Sequence, residues 1–316
     1  LVIDWFYVVT HLPWAIRFLR NCTSARAEHI AKSLSSFSSQ ASLAYEEIFD
    51  DVDVSNNIVY KEPIFLYESK ELFEQNQYAF NLRKKYDVQF VVINKEDIAK
   101  IEPDLEPIYY NGVVFKGESF TNSPLEITQK IFNNFIKNDG HFIKIKIKSI
   151  VQKDNSLFLK YEEKEQQFDK IVVAAGAWSN MLARTIGDNF PLDTERGYHI
   201  VFENNNNLLT HPVGWAKTGF YMTPMKDGIR VAGTVEIAGL KKPMNKNMLS
   251  MIEKTARRIL PQLGKVKSEW MGFRPTLPDS LPIIGESQKC KNVYYAFGHQ
   301  HLGLSLAAIT GKVIQS

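Results

Sequence analysis

The sequence predicts a mixed α/β fold, on three observations. Two short apolar runs, IVVAA (171–175) and VYYAF (293–297), each stop at a glycine, as buried strands covered on both faces do. Between them the chain turns β-rich, with strand-like segments joined by a Lys226-Asp227-Gly228 turn. Helical stretches, with apolar residues at three- and four-residue steps, lie before, between and after these strands.

Size and composition narrow the class. A chain of 316 residues can bury one large core or two interlocked ones. With 44% hydrophobic and 23% charged residues, the balance is that of an ordinary globular enzyme. The net charge is only +3, and lysines such as Lys144, Lys146 and Lys148 alternate along a strand, so no nucleic-acid partner is indicated. Cys22 and Cys290 are the only cysteines and form no CxxC pair, which argues against a zinc site or disulfide framework and fits a reducing, cytoplasmic compartment. The first residue is leucine and no signal-peptide pattern follows, so the chain is expected to be a piece of something longer.

In the opening LVIDWFYVVTHLPWAIRFL, Asp4, His11, Pro13 and Arg17 interrupt any membrane span. Two core-packed helices broken near Pro13 are expected, while Trp5, Phe6, Trp14 and Phe18 also suit a shallow contact with a membrane surface. Residues 22–49 predict one helix through Ile30, Leu34, Phe37, Ala41, Ala44 and Ile48. IVYKEPIFLY (58–67) is strand-like, followed by a polar helix near 70–86, a strand VQFVVI (88–93) and a short helix ending before Pro103.

Ser123-Pro124-Leu125-Glu126 is a capping box with proline at the first helical position. The helix behind it is expected to pack through Leu125, Ile131, Phe132, Phe135 and Ile136 and to end at Gly140. FIKIKIKSI (142–150) alternates and predicts a strand with one wet face, in a hairpin with LFLKY (157–161). GYHIVF (197–202), GFYMTP (219–224) and GIRVAGTVE (228–236) follow as strands. A helix near 245–263 carries Met248, Leu249, Ile252, Ala256, Ile259 and Leu260 on its apolar face. GLSLAAITGK, after VYYAFG, is the last helix, and the four asparagines at 204–207 are the one low-complexity run.

Two features carry chemistry. GFRPTLPDSLPIIG (272–285) holds Arg274 just before a proline. A guanidinium costs several kcal/mol to keep from water unless an anion meets it, so Arg274 awaits either a ligand or an acid of the chain such as Asp279. The strand ends IVVAAGAWS and VYYAFGHQHLGLS lead into turns whose free N–H groups attract anions and polar heterocycle edges. Singly, each is also an ordinary α/β crossover.

In this order, FDKIVVAAGAWSNMLA (168–183), ERGYHIVF (195–202), GFYMTP with GIRVAGTVE (219–236), WMGFRPTLPDSLPIIG (270–285) and NVYYAFGHQHLGLSLAAITG (292–311) resemble the D-amino-acid-oxidase-like superfamily of FAD-dependent amine oxidoreductases. The resemblance is closest to the bacterial D-amino acid dehydrogenases and, with the looser WAIRFLR (14–20), covers nearly the whole chain. It implies an incomplete Rossmann-like FAD-binding domain interleaved with an antiparallel-sheet substrate domain. Residues 1–110 would be mainly substrate-domain and helical segments, 111–188 an FAD-binding segment, 189–268 the substrate-domain sheet and helix, and 269–316 a second FAD-binding segment. Such proteins open with a GxGxxG turn. None occurs here, and the last helix of the family continues further, so a fragment with weakened FAD affinity is expected.

The resemblance also implies roles. Ala175, Gly176 and Trp178 would pass beside the FAD; Gly298, His299, Gln300, Gly303, Leu304 and Ser305 would face the flavin's pyrimidine edge. Arg274 would grip a substrate carboxylate with Tyr221 as second contact, and Tyr198 and His199 would line the pocket. No side chain is singled out as a general base, and no metal is implied. The implied activity is oxidative deamination of small D-amino acids by hydride transfer from the α-carbon to flavin, giving a keto acid and ammonia. Electrons would pass to a quinone or respiratory acceptor, with a peripheral place on the inner face of the cytoplasmic membrane. A glycine- or sarcosine-type secondary-amine oxidase or demethylase, and a flavin-free protein that kept the fold, are the alternatives.

Overall fold

A computed structural model describes residues 2–154, 156–204 and 207–316. Leu1, at the head of the opening run, and part of the asparagine run lie outside the described residues.

Among the described residues, nine strands form the main sheet. Its path runs Val266–Thr276, Asp193–Phe202, Gly228–Ile237, Phe220–Met225, Val213–Trp215, Ile64–Tyr67, Asn111–Phe115 and Phe90–Ile93. The short strand Val2–Ile3 joins beside the end of Gly228–Ile237. One face of this sheet is the core. Alternation turns Tyr198, Ile200 and Phe202 inward together, and they meet Met248, Leu249, Ile252, Ala256 and Ile259 of helix Lys246–Ile259. That helix and its apolar face are as the periodicity predicts.

A second sheet holds Ile171–Val173 parallel to Val293–Phe297, with Ile283–Glu286 antiparallel on the far side. Parallel pairing beside helices is the α/β arrangement the two glycine-ended runs predict. One expectation fails here. Ile171–Val173 is an edge strand buried on one face only, and Val172 is 49% exposed.

Other departures share a cause, the absence of a neighbour. Residues 142–148 form no strand; regular pairing starts at Ser149–Lys153, where Ser156–Tyr161 lies alongside. Alternation supplies two faces, but a strand also needs a partner for its N–H and C=O groups. Helix Pro124–Lys137 starts where predicted, with Ser123 Oγ accepting from Glu126 N at 3.4 Å. The capping box is one-sided: Ser123 N donates to Thr121 Oγ1, and the Glu126 carboxylate accepts from Asn57 instead. It packs through Ile127 and Ile131 on Val52 and Val54, leaving Leu125, Phe132, Phe135 and Ile136 exposed. Asp139 (φ +63), not Gly140, takes the left-handed conformation after it.

Several predicted elements are split. Residues 22–49 make two helices, Ser24–Ser38 and Ala41–Asp51. Residues 58–67 make two strands in different sheets, because Pro63 offers no N–H to a ladder and restricts the residue before it. The polar helix divides at Asn76 into Lys70–Gln75 and Gln77–Lys85. The N-terminal pair, Trp5–Thr10 and Leu12–Asn21, breaks at His11 but is not core-packed. None of its residues is buried, and Trp5, Phe6 and Leu19 are 71%, 83% and 67% exposed. Tyr7 ties this pair down: its hydroxyl donates to Asp193 Oδ1 at 2.7 Å. Among the described residues, no helix is long and apolar enough to cross a membrane.

Candidate active site

The site lies on the face of the main sheet opposite the core. In Asp193–Phe202, alternation sends Glu195, Gly197 and His199 to that face. Register then assembles the rest: Arg274 stands opposite Glu195, Gly272 opposite Gly197, and Trp270 opposite His199. On the other side, Ala232 pairs with His199 and Tyr221 pairs with Ala232. Four strands thus bring Arg274, His199, Trp270 and Tyr221 onto one surface.

Arg274 lies across Gly197, where an added Cβ would come within 2.6 Å of Cζ. Its Nη1 donates to the Thr234 carbonyl at 3.0 Å, the one hydrogen bond of the guanidinium among the described residues. Asp279, the acid nearby in sequence, accepts from Leu281 N instead. Glu195 is the acid whose charge reaches Arg274, though the two form no ion pair among the described residues; burial raises the Glu195 carboxyl and the Arg274 charge pulls it back down. Burial likewise pushes the Arg274 guanidinium down, with Glu195 pulling it back up. A half-buried cation with an open fork and no paired acid is built to receive an anion.

His199 stacks on Trp270, ring centroids 4.9 Å apart and planes 18° off parallel. Burial, then the charge of Arg230, holds its pKa down to about 4, so the imidazole is neutral at ordinary pH. Tyr221 packs against Phe65 at 5.6 Å, and burial raises its phenol.

The two glycine turns lie next to the Arg274 strand. Because Ile171–Val173 and Val293–Phe297 run parallel, their C-terminal ends open side by side, the usual ligand position in α/β sheets. Gln300 (φ +50) donates its N–H to the Pro275 carbonyl at 3.0 Å, which fastens the second turn beside Arg274. Burial and the Arg274 charge push the His301 pKa down. His299 turns away: its Nε2 pairs with Thr310 Oγ1 at 2.9 Å. Helix Gly303–Gln315 begins without a side-chain cap, leaving the N–H groups of Gly303, Leu304 and Ser305 without one; the Leu304 carbonyl accepts from Tyr45. In the first turn, Gly176 has φ +55 with open space where a Cβ would stand. Trp178 meets Phe273 edge-on at 5.6 Å, linking that turn to the Arg274 strand. Uncapped donors at the second turn and open space at Gly176 in the first fit the ring end of a flavin. The sequence holds no GxGxxG turn for its pyrophosphate.

Tyr198 is not brought to this site. Period two points it to the core face, where it donates to Glu236 within a buried group that also contains Arg196 (Nη1 to Glu236 Oε2, 3.0 Å) and Asn245 (Nδ2 to Glu236 Oε1, 2.7 Å). Burial, then Glu236, raises the Tyr198 phenol to about 12. The signal was in the sequence: adjacent strand residues such as Tyr198 and His199 cannot share a face. Trp270, Gly197 and Thr234 carry no sign of their position beside Arg274 within their own segments, because register across strands is not visible along one strand. Two cavities of about 490 Å³ lie apart from Arg274, one between Tyr7 and Met181 and one beside Val91 and His211.

Comparison with known proteins gives consistent matches. The sequence profile of the DAO family, described as FAD dependent oxidoreductase, matches residues 12–316. The D-amino-acid oxidase of Bradyrhizobium diazoefficiens is 31% identical over 99% of this chain and 76% of its own length. A D-amino acid dehydrogenase of Mesorhizobium japonicum is 23% identical over 96% of this chain and 75% of its length. Among solved structures, glycine oxidase from Bacillus cereus superposes with a TM-score of 0.76 at 20% identity, covering 90% of this chain and 78% of that one.

Proposed function

The chain belongs to the DAO family of FAD dependent oxidoreductases, and on that premise we propose that it oxidises small D-amino acids at the α-carbon, releasing a keto acid and ammonia. The observation that carries this reading is Arg274: a half-buried guanidinium in no ion pair among the described residues, on a face shared with Tyr221 and beside the turn at 298–303.

Arg274 holds the substrate carboxylate by its fork, and Tyr221 adds a hydroxyl donor. FAD, when bound against the 175–178 and 298–305 turns, supplies the acceptor for the α-hydrogen as hydride. No side chain here need act as a base. A substrate that enters with a neutral amine loses hydride from the α-carbon and becomes an iminium, which water converts to keto acid and ammonium. The protein's work is alignment: pinning the carboxylate lets one configuration present its α-hydrogen. His199 is neutral above pH 4 and adds no second charge to compete for the carboxylate. We read 1–110 and 189–268 as building mainly the substrate side and 111–188 and 269–316 mainly the FAD side, with the strands Asn111–Phe115 and Val266–Thr276 belonging to the substrate-side sheet.

The electron acceptor in this reading is a membrane quinone or respiratory carrier, with the protein peripheral on the cytoplasmic face. Trp5, Val9, Leu12, Ile16 and Leu19 are exposed at steps of three and four residues, with Arg17 and Arg20 and no acid between Trp5 and Ala27. Such an amphipathic, basic segment suits an anionic lipid surface.

Anaerobic mixing of the FAD-loaded protein with D-alanine, L-alanine and sarcosine, each in turn, tests the reading through the flavin absorption band. Bleaching by D-alanine, lost in Arg274→Ala, supports it. Bleaching by sarcosine alone replaces it with a secondary-amine oxidase, and a bound flavin that none of the three reduces overturns it.

A further inference from the structure

We propose that Thr234 is a substrate-binding residue whose hydroxyl donates to one oxygen of the carboxylate held by Arg274; this rests on the reading of Arg274 given above. Thr234 has φ +61, a left-handed conformation that a β-branched residue rarely adopts. The cause is a β-bulge. Tyr198 pairs with Gly233 and Arg196 with Glu236, so three steps along one strand match two along the other, and Thr234 and Val235 together oppose Gly197. Glycine is the residue that fills the left-handed position of such a bulge without strain.

Thr234 carries a second penalty. It is 8% exposed, and its Oγ1 is buried with no hydrogen-bond partner among the described residues. A buried hydroxyl without a partner is destabilising. Glycine would avoid both penalties. Strain and an orphaned polar group that coincide at one residue point to a ligand.

Position says which ligand. The Thr234 carbonyl accepts from Arg274 Nη1 at 3.0 Å, and the residue opposes Gly197, over which the guanidinium lies. That bond uses one N–H of Arg274 and leaves Nη2 and Nε for the carboxylate. A carboxylate accepts about four hydrogen bonds, so a further donor beside the fork completes its shell. Ser179, Thr194 and Thr218 also have unpartnered buried hydroxyls, but none of them combines this with a left-handed backbone or a bond to Arg274.

Calorimetric titration of the FAD-loaded protein with propionate, a carboxylate without an amine, is the test. Thr234→Val keeps the β-branched shape and removes the hydroxyl; affinity is expected to fall about five- to tenfold. Thr234→Ser is expected to bind within about twofold of the native protein, since it restores the donor. Thr234→Gly is expected to weaken binding as Val does while raising the melting temperature, because strain and hydroxyl leave together. Native-like affinity in Val or Gly overturns the proposal. Native-like binding in Arg274→Met, or no propionate binding by the native protein, overturns the Arg274 reading on which it rests.

Discussion

The guanidinium of Arg274 rests on the backbone of Gly197, close enough that a Cβ there would stand 2.6 Å from Cζ. Glycine at 197 is therefore a recess and not a hinge, since its backbone is not left-handed. Gly197→Ala is expected to push the guanidinium off Thr234 and to weaken propionate binding about tenfold or more, the order of a lost charge-assisted hydrogen bond. Its melting temperature should move by only a few degrees. Binding at native strength, measured by calorimetry, would mean that Arg274 does not use this recess.

Arg274→Lys keeps the positive charge and loses the planar fork. A lysine cannot bond the Thr234 carbonyl and both carboxylate oxygens in one arrangement, so binding should weaken about tenfold. If lysine substitutes fully, charge alone holds the ligand. The same titration gives the answer.

Glu236 links Arg196, Tyr198 and Asn245 on the core face, with the Arg196 and Glu236 side chains 0% and 4% exposed. Glu236→Gln leaves the Arg196 charge buried without its counter-ion. A loss of about 3–5 kcal/mol in urea unfolding is expected. Propionate affinity of the folded fraction should stay unchanged, because the group faces away from Arg274.

His199 makes stability depend on pH. Its folded pKa of about 4 lies below the ordinary imidazole value near 6.5. Between those values the unfolded chain takes up a proton that the folded chain refuses, so stability falls as pH drops from 6.5 toward 4 and is level above 6.5. Over that fall, the native melting temperature should drop about 3 °C more than that of His199→Asn. Parallel curves for the two proteins would refute the assignment.

The exposed N-terminal stripe predicts adsorption to lipid. The native protein should co-sediment with vesicles containing phosphatidylglycerol, more weakly with phosphatidylcholine alone, and added salt should release it. Trp5→Ser combined with Leu19→Ser should lose half of the bound fraction or more. Equal sedimentation of the variant would remove the helix pair from the contact.

Element types were legible in local pattern. The face of helix Lys246–Ile259, the Ser123 cap, the Lys226-Asp227-Gly228 turn and the strands Ile171–Val173 and Val293–Phe297, each taken singly, follow from residues a few positions apart. The order of the glycine-ended strands and the Gly-Phe-Arg-Pro stretch led to the family, and Arg274, Tyr221 and His199 were candidates from that order alone. Period two already separates Tyr198 from His199. What periodicity does not contain is the neighbour. Residues 142–148 alternate as a strand does and remain unpaired, and the Pro124–Lys137 helix buries Ile127 and leaves Phe132 and Phe135 in solvent. Arg274 and Thr234 are 40 positions apart, and the bond between them exists because strand register and one bulge bring them together. Local pattern is set by the geometry of a single chain segment. Partners are set by which segments lie side by side, and only the folded sheet decides that.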